Sequence, residues 1–327
     1  MLLNLILVGL GLALLMKGAD FLVDGSSRIA KKFNIPEIVI GLTIVAIGTS
    51  LPELVISVES AFKGLSDISM GNVVGSNIAN LFLIISMCAI IKPLVIKRET
   101  KFIENPIVIL CTAVLYLIAD NDGVITQFEG IALLAMCALY LLYNVVMSKV
   151  GNKLEEDTDT SKEKKSEEKS KFKDSVVYSI IQIILGIIAL KFGGDFVVDN
   201  AVLIAEVLGL SKKLIALTIV AFGTSLPELI TSVSATRRGD TDLAIGNIIG
   251  SQILNILLIV GFSATVSEIQ GVRGYLDEIM ILIIGNLIFA MLPFIGQKNK
   301  VGRASGIAFV SFYFMYMANM VYENLQR

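Results

Sequence analysis

The chain is predicted to be an all-α integral membrane protein of ten transmembrane helices, arranged as two inverted-topology five-helix repeats with helices broken in mid-span. Three observations lead there. Of its 327 residues, 55% are hydrophobic and the mean hydropathy is +0.79, above the range of soluble domains. Ten stretches approach the roughly 20 apolar residues that cross a bilayer. Finally, Gly48-Thr49-Ser50-Leu51-Pro52-Glu53 recurs as Gly223-Thr224-Ser225-Leu226-Pro227-Glu228. The same offset of 175 residues carries Gly71-Asn72 onto Gly246-Asn247, Gly75-Ser76 onto Gly250-Ser251 and Asn80 onto Asn255, with no insertion between the blocks.

Taken in order, the first stretch, 2–23, lacks a basic leader and a small-residue cleavage site and carries Lys17 and Asp20. It reads as a retained span. Stretch 37–61 holds the first Gly-Thr-Ser-Leu-Pro-Glu and 69–91 the Gly-Asn block; 105–119 and 125–147 complete the first repeat, residues 1–147. Residues 148–174 break the pattern with eight lysines, many acidic residues and no aromatic before Phe172. That composition predicts a flexible charged linker, too short for an ordinary folded domain. The second repeat, 175–327, supplies stretches 175–198, 212–235, 243–265, 276–295 and 304–322.

Lysine and arginine on alternate loops set the orientation. In the first half, Arg28, Lys31, Lys32, Lys92, Lys97, Arg98, Lys101 and the linker lysines fall on one side, and Lys63 on the other. The basic side is expected to be cytoplasmic, with both termini outside. An odd number of spans per repeat then forces the second copy to enter in the opposite sense, and the two motifs approach each other from opposite faces.

Composition also excludes. The net charge of −2 is spread over loops with no basic face for nucleic acid, and histidine is absent. Cys88, Cys111 and Cys137 lie in apolar runs without metal-ligand spacing and read as core. No nucleophile with a base and no phosphate loop can be placed. An enzyme is not expected, nor a cofactor.

The chemistry sits in the duplicated blocks. Glycine and proline inside an apolar helix argue for a break, and proline leaves a carbonyl four residues back without its donor, here Gly48 and Gly223. Ser50 followed by Glu53 reads as a capping box that starts a new half-helix. Irregular backbone at that depth survives only when buried in protein or lining a wet cavity, where loosened carbonyls near Ala46 and Ala221 become ligands. Ser76 and Asn80 share one helix face, as do Ser251 and Asn255. Together the blocks offer the carboxylates of Glu53 and Glu228, hydroxyls of Thr49, Ser50, Ser76, Thr224, Ser225 and Ser251, and amides of Asn80 and Asn255. This is hard oxygen, suited to Ca2+ or Na+ and not to soft metals. Helix capping and small-residue packing would explain one copy; they do not require both blocks twice. Asp20 and Asp24 match Asp195 and Asp199 at the same offset and read as membrane-edge charges or ties between the first span and the core, with gating as the other reading. Glu59 has Ser234 as its counterpart and is left out of the site.

These residues resemble the sodium/calcium exchanger branch of the cation/calcium antiporter superfamily, through alpha-repeats at 38–91 and 213–266. The proton/calcium branch typically carries Gly-Asn-Ala before the glutamate. The resemblance implies Na+ and Ca2+ as transported ions, competing for a central group of sites. Glu53 and Glu228 would bridge Ca2+ with the carbonyls of Thr49 and Thr224; outer Na+ positions would draw on Ala46, Thr49, Ser50 and Ser251, and on Ala221, Thr224, Ser225 and Ser76. Asn80 and Asn255 would flank the middle. Potassium-dependent relatives place aspartate at one or both of those amides, which implies potassium independence here. It implies further that the first and sixth spans slide across the core. A proton-coupled antiporter and a cation channel remain the alternatives. A self-contained ten-span unit fits a monomer in a microbial plasma membrane, whose partners are these ions and the lipid bilayer.

Overall fold

The computed structural model describes residues 2–156, 175–207, 221–295 and 299–326. It is nearly all helical. The first half comprises α1 (Leu2–Phe33), α2 (Glu37–Thr49), α3 (Leu51–Phe62), α4 (Ser66–Ile91), α5 (Thr100–Asn121) and α6 (Gln127–Glu156). The second comprises α7 (Val176–Val207), α8 (Ala221–Thr224), α9 (Leu226–Arg238), α10 (Thr241–Val266), α11 (Val272–Phe294) and α12 (Arg303–Gln326). Among the described residues, 8 helices are long and apolar enough to cross a membrane, and the α2–α3 pair, bent by 49°, makes a ninth span. The tenth, α8–α9, is described only from Ala221 onward; residues 212–220 of the expected stretch lie outside the described residues, as do 157–174 of the expected linker.

The helices outrun the apolar stretches. Helix α1 continues ten residues past the predicted end at 23, and α6 continues to Glu156, nine residues into the segment read as linker. Both extensions carry lysines, which are good helix formers whether or not they face lipid, so charge marks where the bilayer stops and not where the helix stops.

Helices α1 and α7 show directly that the repeats are inverted. A Cβ on Gly11 would sit 2.8 Å from the Gly193 carbonyl oxygen, and one on Gly18 would sit 2.9 Å from that of Gly186. At the 175 offset Gly11 corresponds to Gly186 and Gly18 to Gly193. Equivalent helices therefore cross antiparallel, each glycine meeting the other's counterpart, about a pseudo-twofold axis. Small residues let backbones approach this closely where lipid leaves no hydrophobic drive for helix association.

Two short antiparallel ribbons link the halves: β1 (Leu94–Val95) pairs with β4 (Lys300–Val301), and β2 (Val124–Ile125) with β3 (Ile269–Gln270). At the centre, α4 and α10 carry the main core, with Val73, Leu81, Ile84, Ile248, Ile253 and Leu257 all at most 1% exposed. Cys88, Cys111 and Cys137 are free and buried in that core. The periphery is apolar and open, as at Leu2, Ile6, Met16, Val177 and Ile184, while the interior holds buried serines, threonines, asparagines and the glutamates Glu53, Glu104 and Glu228. Polar inside and apolar outside is the pattern of a protein solvated by lipid.

The glycine seam predicts a local cost. Gly18→Leu should lower stability by about 1–3 kcal/mol through overpacking, whereas Gly9→Leu, with nothing within 4 Å of its added Cβ, should leave it unchanged. Thermal unfolding of the detergent-solubilised variants measures the difference.

Candidate ion-binding site

The two broken spans kink at equivalent residues and in the same way. Ser50 has φ −86° and ψ 7°; Ser225 has φ −84° and ψ 2°. Proline follows two residues on, so α3 and α9 each restart at the centre of the protein with a glutamate in the first turn. The capping box expected at Ser50 is absent: neither serine makes a side-chain cap bond. Each hydroxyl reaches across to the other repeat instead. Ser50 Oγ donates to Glu228 Oε1 at 2.8 Å and lies 3.0 Å from Ser251 Oγ; Ser225 Oγ lies 3.1 Å from Ser76 Oγ. The Glu228 carboxylate is lined by Ser50, Thr49 and Ser251, and that of Glu53 by Thr224 and Ser76.

A second layer holds the hydroxyls. Thr49 Oγ1 donates to Asn247 Oδ1 at 3.1 Å, and Thr224 Oγ1 to Asn72 Oδ1 at 3.1 Å. Each asparagine then donates to a serine of its own repeat at 2.9 Å, Asn247 to Ser232 and Asn72 to Ser57. Asn72 Nδ2 also meets the Glu53 carbonyl at 3.2 Å, which fixes its amide orientation because a carbonyl only accepts. In the sequence Asn72 and Asn247 stand out only as matching positions, without a place in the expected site. Their duplication was the available signal, and Ser57 and Ser232 match at the same offset.

Asn80 and Asn255 sit where α4 and α10 loosen into π-helical turns, Ala79–Ile84 and Asn255–Val260. Such turns recur at functional sites, and nothing in the sequence reading foresaw them. Asn255 Nδ2 donates to Asn77 Oδ1 at 2.9 Å, and Asn77 Nδ2 to the Gln252 carbonyl at 3.3 Å; that chain ends on an obligate acceptor, so the Asn255 oxygen is left facing inward. At this centre, among the described residues, four buried carboxylate and amide oxygens have no donor: Glu53 Oε2, Glu228 Oε2, Asn80 Oδ1 and Asn255 Oδ1. They are two pairs related by the pseudo-twofold. The Ala46 carbonyl differs from the expectation of a loosened ligand, since it accepts from the Ser50 N–H at 3.0 Å. Ala221 opens α8, one turn before Thr224.

Inverted repeats whose broken helices meet on a buried, oxygen-lined centre define a membrane transporter. The comparisons narrow the class. The model of the sodium/calcium exchanger protein family matches residues 3–146 and 178–322. The sodium/calcium exchanger MaX1 of Methanosarcina acetivorans is 33% identical over 353 residues, spanning 98% of this chain and 99% of that protein. The putative antiporter CaxA of Alkalimonas amylolytica is 35% identical, spanning 98% of this chain and all of that one (100%). A solved structure of the sodium-calcium exchanger NCX_Mj superposes with a TM-score of 0.82 at 32% identity, covering 97% of this chain and 98% of that one. The chain belongs to the sodium/calcium exchanger family, whose members are transporters and not enzymes.

Asn247→Ala should leave the Ser232 hydroxyl without its amide partner and cost about 1–3 kcal/mol, while Thr49 Oγ1 keeps the Val45 carbonyl at 3.1 Å. Asn72→Ala should cost as much or more, because it also strips the Glu53 carbonyl. Chemical denaturation of the two variants beside the parent gives both values.

Proposed function

We propose that the chain exchanges Na+ for Ca2+ by alternating access at the Glu53–Glu228 cluster. The observation that carries this reading is the set of four donorless acceptors. Each belongs to a side chain only 1% exposed, where a buried unsatisfied polar atom costs about 1–3 kcal/mol and a charged one more. A cation relieves all four at once. Two carboxylates balance one Ca2+, and the surrounding hydroxyls, amides and carbonyls complete the six to eight oxygens it takes.

In this reading Glu53 and Glu228 bridge Ca2+ with the Thr49 and Thr224 carbonyls, and Asn80 and Asn255 flank it. Na+ occupies outer positions built from Ala46, Thr49, Ser50 and Ser251 on one side and from Ala221, Thr224, Ser225 and Ser76 on the other. The two fillings compete for shared oxygens, and that competition is what couples the fluxes. With about three Na+ per Ca2+, one net charge moves per cycle, worth about 2.3 kcal/mol per 100 mV. Amides at Asn80 and Asn255 support independence from K+. The working unit is one chain in the plasma membrane, with its termini outside and residues 148–174 in the cytoplasm. The family and the names of MaX1 and NCX_Mj support Na+ and Ca2+ as the ions.

The test is ⁴⁵Ca2+ uptake into Na+-loaded proteoliposomes diluted into Na+-free buffer, with proton and K+ gradients clamped. Uptake should require internal Na+, proceed without K+, and be abolished in Glu53→Gln and Glu228→Gln. Uptake driven by a pH step and indifferent to Na+ would replace this reading with proton coupling, and flux that survives both substitutions would move the site elsewhere.

A further inference from the structure

The four matching aspartates occupy two unlike environments. On α1, Asp20 and Asp24 are both bonded to Arg238 at the end of α9, and Ser234 Oγ donates to Asp20 Oδ1 at 3.1 Å. On α7, Asp195 and Asp199 hold the equivalent positions. The counterparts of Arg238 and Ser234 at the 175 offset are Lys63 and Glu59 on α3, and these are bonded to each other at 2.6 Å. Asp195 is bonded to Lys191 on its own helix, at 2.8 Å. Among the described residues no ion pair joins Lys63 to α7. Inversion puts the two sets at opposite faces of the membrane, so among the described residues ion pairs tie the α1–α7 pair to the core at one face.

We infer that Arg238 with Asp20 and Asp24 is an ionic latch that holds the α1–α7 pair in the access state of this structure, and that Lys63 with Asp195 and Asp199 closes as its counterpart in the opposite state. The inference rests on the alternating-access reading above. Inverted repeats exchange roles between the two states, so a contact made by one repeat in one state is made by the other repeat in the second. The glycine seam allows this to be a motion of the pair as a unit, because α1 and α7 are in backbone contact along their length.

The two latches are unequal, and one position makes them so. Ser234 reinforces the closed latch by donating to Asp20. Glu59, in its place in the first repeat, holds Lys63 and repels an approaching aspartate. Side chains of Arg238, Asp20 and Asp24 are 34%, 37% and 40% exposed, and ion pairs at such positions are weak. Weakness suits a contact that must break in every cycle.

The test labels K17C and R237C, both exposed positions, with nitroxides and reads the distance distribution by electron spin resonance in lipid; Cys88, Cys111 and Cys137 are buried, and the unsubstituted chain controls for their labelling. Arg238→Gln and Glu59→Ser should each move population to a second distance by roughly two- to fivefold, and Lys63→Gln should move it the other way. Arg238→Lys, which keeps the charge, should stay near the parent distribution and shows that the fold tolerates change there. Equal distributions in all variants, or the same direction for Arg238→Gln and Lys63→Gln, would overturn the latch. These distances are read at equilibrium without a driving gradient, so they remain interpretable if Ca2+ flux proves to be coupled to protons.

Discussion

Two carboxylates buried at the centre of a lipid-solvated protein constrain everything else in it. An isolated charge there is expensive, and the fold meets the expense with groups that neither repeat has alone. Glu228 receives its hydroxyl donor from Ser50, in the other half of the chain. Thr224 donates to Asn72 and Thr49 to Asn247, each across the repeat interface. Each repeat adds to what the other supplies: Glu228 is lined by Ser251 of its own repeat and by Ser50 and Thr49 of the other, and Glu53 by Ser76 of its own and Thr224 of the other. The helix break follows from the same requirement. An unbroken helix would keep the Ser50 hydroxyl on its own backbone; a kink at Ser50 turns it across the interface.

Much of this is legible in the amino-acid sequence because duplication turns a weak pattern into a strong one. One Gly-Thr-Ser-Leu-Pro-Glu is a kinked helix; two copies at a fixed offset, each followed by a matched Gly-Asn block, require a shared centre. Inversion follows from an odd number of spans per repeat, and the antiparallel crossing of Gly11 with Gly193 and of Gly18 with Gly186 expresses it in the structure. The ties at Asp20 and Asp24 are also anticipated as links from the first span to the core, although their partner, Arg238, is not.

What sequence reading misses is where a side chain has two good local options. Ser50 at an N-cap position ordinarily bonds its own helix, and spacing alone favours that choice; only the presence of Glu228 within reach reverses it. Asn72 and Asn247 show in the sequence only as matching positions, and their role as clamps depends on which carbonyl and which hydroxyl stand opposite. The π-helical turns at Asn80 and Asn255 leave no compositional mark, since the apolar residues that follow suit an α-helix equally well. Helix α6 runs to Glu156 for the complementary reason: a charged stretch suggests solvent, and solvent is compatible with helix.

The pseudo-twofold is close at the centre and broken at the rim, and this division has a physical logic. The threonine–asparagine contacts are both 3.1 Å and the asparagine–serine contacts both 2.9 Å, so the layer that holds the threonines is nearly the same in the two repeats. A molecule symmetric throughout would hold its two access states at equal energy. Substitutions near the carboxylates could remove that degeneracy only by altering ion affinity at the same time. The rim carries no such penalty. Replacing Ser234 by its counterpart Glu59, or Arg238 by Lys63, changes the balance between states through exposed ion pairs of about 0–1 kcal/mol, enough to bias an equilibrium severalfold and too little to arrest it. On the proposed latch, asymmetry placed at the membrane edge biases the two access states while the duplicated interior is left unchanged.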